Sequence, residues 1–223
     1  MARALAANGA AKVYILGRRL SLLKEATSSN FPEVLVPLEC DVTSKSSLQH
    51  VVDTVTAADG YVNLVVANSG VPGPLAGYDP TLSVSDLRKR LFDGVEPEDM
   101  TAAYHVNATG VFYTILAFLE LLDEGNKRAV AGGGFGRPDQ EDAKVPAVQS
   151  QVIVTASISA YMRGRWSAPS YVGSKAAVLQ LSKQAASMLS PYGIRVNALA
   201  PGRECLNSPL QAASTSRPSD RSY

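Results

Sequence analysis

Short apolar runs alternate with amphipathic stretches along most of the 223 residues. Lys12–Leu16, Val34–Leu38, Leu64–Ala67, Gln151–Ser157 and Arg195–Ala200 are rich in Val, Ile and Leu and have the length of buried strands. Between them lie segments with helical spacing. Met1–Asn8 is made of strong helix formers and stops at Gly9. A second helix runs from Leu20 to about Thr27, and Ser44 caps a third with Leu48, Val51, Val52 and Val55 on one face. Val71–Glu96 is a Pro- and Gly-rich connection holding a short helix at Leu87–Phe92. Glu98–Leu122 is predicted as one long helix, and Pro169 starts another that runs to about Leu189. Strands alternating with helices in this way predict an α/β fold, with a parallel sheet covered on both faces. Lys127–Gln149 carries three successive glycines and two prolines and is predicted as a surface insertion. Arg203–Tyr223 has no periodicity and is predicted as a disordered tail, leaving 1–202 as one domain.

In an open parallel sheet, ligands gather beyond the carboxyl ends of the strands. Arg18, Asp41, Asn68, Ser157 and Pro201 all stand at such ends. One polar strand end is ordinary turn chemistry; five along one rim suggest a shared ligand. The densest chemistry runs from Thr155-Ala156-Ser157-Ile158-Ser159 to Tyr171-Val172-Gly173-Ser174-Lys175. Tyr171 and Lys175 are four residues apart on a helix and therefore share a face. A free phenol, with a pKa near ~10, is a poor acid–base group at neutral pH. An ammonium about 5 Å away, at an effective dielectric near 20, favours phenolate by roughly 3 kcal/mol. A strand-end hydroxyl such as Ser157 could hold the carbonyl oxygen that Tyr171 protonates.

Composition narrows the function classes. Hydrophobic residues make up 46% and charged residues 18%, the balance of a globular chain. A net charge of +1 gives no electrostatic case for nucleic acid or an acidic membrane surface. No apolar run reaches the ~18 residues needed to cross a bilayer. Cys40 and Cys205 are far apart and suit a reducing compartment, and Met1–Ala11 has no secretory pattern, so a cytosolic protein is expected. Gly132-Gly133-Gly134-Phe135-Gly136 follows no strand and is not expected to cradle phosphate, and no metal site is expected.

The order of these motifs resembles the short-chain dehydrogenase/reductase family, whose members place Ser, Tyr and Lys in this sequence on a Rossmann-like doubly wound sheet. The resemblance covers roughly residues 1–202. It implies hydride transfer between a nicotinamide cofactor and a small carbonyl or alcohol, with Ser157, Tyr171 and Lys175 catalytic. It implies that Asn107, in His105-Val106-Asn107-Ala108-Thr109-Gly110, supports the proton relay. Asn68-Ser69-Gly70 is similar to the family's cofactor-floor motif, and Asp41-Val42 to its adenine-contacting pair. Tyr171, Lys175, Pro201 and Gly202 complete the implied cofactor contacts. Arg18 and Arg19 stand where an acidic residue would select NAD. Basic residues suit the 2′-phosphate, so NADP is preferred. The two longest family helices correspond to Glu98–Leu122 and Pro169–Leu189 and pack against a second subunit, which implies a homo-oligomer. The long connections are similar to those of fungal reductases acting on acyl-carrier 3-ketones. Two features depart from the pattern: the family's first strand with its glycine-rich loop, and its final strand, have no counterpart here. The alternative is therefore a non-catalytic remnant that associates through its helices.

Overall fold

The computed structural model describes residues 1–28, 31–138, 140, 144–163 and 168–202. The expected coil at Arg203–Tyr223 lies outside these residues, as does part of the expected insertion. Among the described residues, five strands and eight α-helices follow the alternation of the sequence. They are α1 (Ala2–Ala7), β1 (Val13–Gly17), α2 (Leu20–Ser28), β2 (Leu35–Glu39), α3 (Lys45–Ala58) and β3 (Leu64–Ala67). Then come α4 (Val84–Arg88), α5 (Pro97–Tyr104), α6 (Val111–Ala117), α7 (Leu119–Val130), β4 (Gln151–Thr155), α8 (Pro169–Leu189) and β5 (Arg195–Leu199). The local reasons are those the residues supply. Ser44 Oγ accepts the Ser47 N–H at 3.3 Å and opens α3, whose Leu48, Val51, Val52 and Val55 form a buried stripe. Pro169 takes the first turn of α8, where its missing N–H costs nothing.

All strands are parallel, but the sheet comes in two pieces. Val13 opposes Leu35 and Gly17 opposes Glu39 in a β1–β2 pair. Leu64 opposes Gln151, and Gln151 opposes Arg195, in a β3–β4–β5 sheet. Among the described residues the second edges of β1 and of β3 carry no ladder partner. One core nevertheless spans both pieces: Tyr14, Leu16 and Leu38 pack against a cluster containing Val65, Ala67, Val152, Val154 and Val178. Asp59 at the end of α3 adds a polar strap to β1, accepting from Lys12 Nζ at 2.7 Å and from the Tyr14 hydroxyl at 2.5 Å.

The expected single helix over Glu98–Leu122 is corrected by the structure. After α5 the backbone widens into a π-helical turn at His105–Gly110 and narrows again into α6. It breaks at Phe118, and α7 leaves at 43°. Nor does the helix end at Leu122. Leu121, Leu122, Gly125, Asn126 and Ala129 keep a buried helical stripe to Val130. Lys127 holds Asp123 at 2.8 Å and Glu124 at 2.6 Å on the outer face. Charges that looked like the start of an insertion are the solvent side of a helix. No single helix among the described residues is long and apolar enough to cross a membrane.

The bend lets α7 lie directly against the approach to β3. The Val62 N–H bonds Leu121 O at 3.0 Å, and a methyl on Gly125 would meet the Val62 carbonyl oxygen and Ser150 Oγ. Gly125→Ala should therefore destabilise the protein even though alanine is the better helix former. Overpacking against backbone costs about 1–3 kcal/mol, against a propensity gain of about 1 kcal/mol. A denaturant melt should show the loss; a more stable variant would mean the two segments can part at little cost.

Candidate active site

The site forms where three strand ends meet the first turns of α8. β4 runs out at Thr155, and the chain continues alongside the end of β5: Ala156 N–H bonds Leu199 O at 2.8 Å, and Ile158 N–H bonds Pro201 O at 3.0 Å. This seats Ser157 beside Pro201. Ser157 is buried and extended, and its Oγ accepts the Ser159 N–H at 3.1 Å, closing a short 3-10 turn at Ile158–Ala160. Its own O–H points to no acceptor among the described residues. Across the gap, the Thr155 hydroxyl donates to Asn68 Oδ1 at 2.9 Å and ties the ends of β3 and β4 together.

A cleft of about 400 Å³ opens above these ends. Of the residues singled out from sequence, Asn68, Gly70, Ser157, Tyr171, Lys175, Pro201 and Gly202 line it. Tyr171 and Lys175 share a face of α8, with Lys175 Nζ 5.8 Å from the centre of the Tyr171 ring. Lys175 is only 4% exposed, and its ammonium donates to Thr155 O at 2.7 Å. A side chain at Gly70 would crowd both Lys175 Nζ (3.4 Å) and Asn107 Oδ1 (3.1 Å), so glycine keeps the floor of the cleft open.

Asn107 does not line the cleft; it stands behind it, fully buried in the π-helical turn. Its Oδ1 accepts the Val71 N–H at 2.8 Å, while Nδ2 donates to Val71 O and Ser174 Oγ, both at 2.9 Å. Burying an amide in an apolar helix costs stability unless its polar atoms are paired, and here all are. Arg18, Asp41 and Val42 sit further along the rim, at the ends of β1 and β2, and form no part of this cleft. Asp41 Oδ1 accepts from the Thr43 hydroxyl (2.7 Å) and N–H (2.9 Å). Those bonds hold its carboxyl below the usual carboxylate range, and the charge of Arg18 adds to the effect. Val42 packs on Gly110, where an added methyl would press to 3.1 Å from Val42 Cγ2 and 3.2 Å from its carbonyl oxygen. His105 is exposed on the outer face of the π-helical turn. There, a shallow depression of about 450 Å³ shared with Glu98 and Tyr104 carries none of the rim residues.

The sequence assigns no role to Thr155 and Ser174, although both stand in its central stretch, nor to Val71, which follows Asn68-Ser69-Gly70. Thr155 and Val71 act partly through backbone atoms, which no side-chain pattern reports. Ser174 lies inside the Tyr–Lys spacing and reads as an ordinary small helix residue.

Burial pushes the Lys175 ammonium down from its ordinary value. A lysine whose folded pKa lies below its unfolded one takes up a proton on unfolding. Its penalty is complete at pH below the folded pKa and is relieved as pH rises toward the ordinary ~10.4. The melting temperature of Lys175→Met, minus that of the parent, should therefore fall as pH is raised from ~7 toward ~10.4. A difference independent of pH would show that the buried ammonium carries no such penalty.

Parallel strands alternating with helices, with Ser157, Tyr171 and Lys175 on one cleft at the carboxyl ends of the strands, form an arrangement found in oxidoreductases. Comparison with known proteins assigns the family. Residues 1–131 match the family model described as short chain dehydrogenase, and residues 141–213 match that described as Enoyl-(Acyl carrier protein) reductase. The chain is 52% identical over 202 residues to the short-chain dehydrogenase/reductase SAT3 of Stachybotrys chartarum, covering 91% of this chain and 73% of that protein. It is 41% identical to VdtF of Byssochlamys spectabilis, covering 91% of this chain and 68% of the relative. Among solved structures, NAD+-bound xylitol dehydrogenase superposes with a TM-score of 0.67 at 24% identity, over 90% of this chain and 63% of that one. The chain belongs to the short-chain dehydrogenase/reductase family.

Proposed function

We propose that this chain carries the catalytic centre of an NADP-dependent reductase acting on a small carbonyl compound, reversibly with the alcohol. The observation that carries the reading is the convergence of Ser157, Tyr171 and Lys175 on one cleft with a glycine floor. A carbonyl oxygen placed between Ser157 Oγ and the Tyr171 hydroxyl would meet two O–H donors. Ser157 polarises the carbonyl, and Tyr171 gives up its proton to the oxygen as negative charge develops there. Lys175 holds positive charge beside the phenolate left behind. Among the described residues its ammonium bonds only Thr155 O, which leaves two N–H groups for the hydroxyls of a ribose. Asn107 fixes the loop after β3 that forms the cleft wall. The donor set suits the nicotinamide and ribose end of a dinucleotide, which when bound supplies the hydride.

Arg18, exposed at the end of β1, would pair with a 2′-phosphate, while Asp41 and Val42 would border the adenine. The likeness of the connections to acyl-carrier 3-ketone reductases makes 3-keto esters the first carbonyl substrates to try. The test is the oxidation of NADPH, and separately of NADH, by the 223-residue chain with ethyl acetoacetate and a panel of other ketones. Turnover with NADPH supports the reading; none with either cofactor at millimolar concentrations overturns it. Arg18→Asp should raise the Kd for NADPH by about 10–100-fold, the loss of one or two charge-assisted bonds, and leave NADH within a few-fold. A parent that prefers NADH, or a variant with an unchanged ratio, rejects that role.

The second reading, a chain that associates through its helices without catalysis, draws on the exposed Phe112, Leu116 and Met188 of α6 and α8. Sedimentation of the chain with and without NADPH separates the two: self-association with no turnover favours it.

A further inference from the structure

Between Tyr171 and Lys175 lies a side chain with no exposure at all. Ser174 Oγ accepts from Asn107 Nδ2 at 2.9 Å and donates to the Tyr171 carbonyl oxygen at 2.9 Å. Val71 offers one donor and one acceptor to Asn107, so the carboxamide can face it in only one orientation. That orientation aims the remaining N–H at Ser174. The hydroxyl is thus the link from the loop after β3, through the π-helical turn, to the backbone of the turn that carries the proton donor. The surroundings leave little play. A methyl at Gly73 would lie 2.6 Å from Ser170 Oγ and 3.0 Å from Ala103 Cβ, and one at Gly173 would collide with the Tyr104 hydroxyl. Loop, α5 and α8 are closely packed there, and Asn107–Ser174 is the one side-chain hydrogen bond among the described residues that joins the π-helical turn to α8.

We propose that Ser174 is a positioning residue for the Tyr171–Lys175 pair, its hydroxyl transmitting the hold of Asn107 on Val71 to the catalytic turn of α8. The inference rests on the reading of Tyr171 as proton donor. Its physical basis is the fit of the site: Val71 and Gly70 form one wall of the cleft and Tyr171 another, so the Asn107–Ser174 bond sets the distance between walls. Alanine at 174 leaves a fully buried Asn107 N–H with no acceptor. Either the amide turns away and releases Val71, or α8 shifts to fill the gap. A displacement near 1 Å at a reacting group costs on the order of 10²-fold in rate.

The test uses the full 223-residue chain and three variants, Ser174→Ala, Ser174→Thr and Tyr171→Phe. Amide exchange at Val71 is measured, with Val152 and Val154 as core references, together with kcat and KM for NADPH-dependent reduction of ethyl acetoacetate. In Ser174→Ala, Val71 exchange should quicken at least about 10-fold while the references hold, and kcat should fall about 10–100-fold with KM within a few-fold. Ser174→Thr keeps the hydroxyl and should restore both. Merely structural damage would speed exchange at the core references and would not be repaired by threonine alone. A folded Ser174→Ala with parental kcat overturns the proposal, as does unchanged exchange at Val71. Where Ser174→Ala fails to fold, Ser174→Thr decides: parental exchange and kcat support the link, and loss of either overturns it. A parent with no turnover sinks the catalytic reading by itself; the exchange at Val71 then still decides whether Ser174 joins the loop to α8.

Discussion

Tyr171→Phe should lower carbonyl reduction by about 10³-fold or more while leaving the thermal melt within a degree or two of the parent. The substitution removes one oxygen, and that oxygen makes no hydrogen bond to the protein among the described residues, so little native stability depends on it. The catalytic loss is large because Ser157, the other hydroxyl at the carbonyl, cannot take the role. Ser157 has a proton, but an aliphatic hydroxyl is a far weaker acid than a phenol, and Lys175 Nζ lies 5.8 Å from the Tyr171 ring. At that separation and an effective dielectric near 20, the ammonium stabilises a phenolate by roughly 3 kcal/mol, about two powers of ten in rate. General acid catalysis as a whole contributes ~10²–10⁴-fold. The measurement is kcat/KM for both proteins beside their melts. A Phe variant within a few-fold of the parent would remove Tyr171 from the proton-donor role. A variant that is inactive because it is unfolded would show itself in the melt.

The strands and most helices were legible because apolar spacing and caps decide them locally. Ser44, Pro169 and the valine-rich runs mark boundaries that the structure reproduces to within a residue or two. The long central helix was misjudged for a physical reason. A π-helical turn and a break at Phe118 leave the 3.6-residue pattern nearly intact on either side, so the spacing predicts continuity where the backbone bends. At the site, Ser157, Tyr171 and Lys175 were visible as side chains with the right spacing, and the structure brings them to one cleft. The role of Asn107 as a clasp was not visible, because its partners are the backbone of Val71 and the hydroxyl of Ser174, 36 and 67 residues away. Long-range pairing of this kind follows from topology and leaves no local signature. The same applies to Asn126, whose amide accepts from Ser150 N–H at 2.7 Å and donates to Gly193 O at 3.0 Å, binding the starts of β4 and β5 to α7.

The 223-residue chain should bind NADPH weakly, with a Kd above about 100 µM, and melt over a broad range or in two steps. Both expectations come from the same feature. Among the described residues the β1–β2 pair and the β3–β4–β5 sheet share a core but no ladder, and every residue of Val13–Gly17 stays partly exposed where a strand covered on both faces would be buried. What joins the pieces is side-chain packing and the Lys12–Asp59–Tyr14 strap, whose ion pair is solvated and adds little. Each unpaired edge group that is buried costs about 1–3 kcal/mol, so a handful rivals the ~5–15 kcal/mol that stabilises a whole domain. The smaller piece can therefore open before the larger one, and cooperativity falls. Binding suffers at the pyrophosphate. On the proposed reading the cleft would give donors to the nicotinamide end and Arg18 to the far end, but the described residues present no array of backbone N–H groups between them. Two missing charge-assisted bonds at ~1.5–3 kcal/mol each weaken binding by about 10²–10⁴-fold. Calorimetric titration with NADPH and a calorimetric melt of the same sample test both. Micromolar affinity with a single sharp transition would refute the account and would mean that a segment outside the described residues supplies the missing donors and ladder.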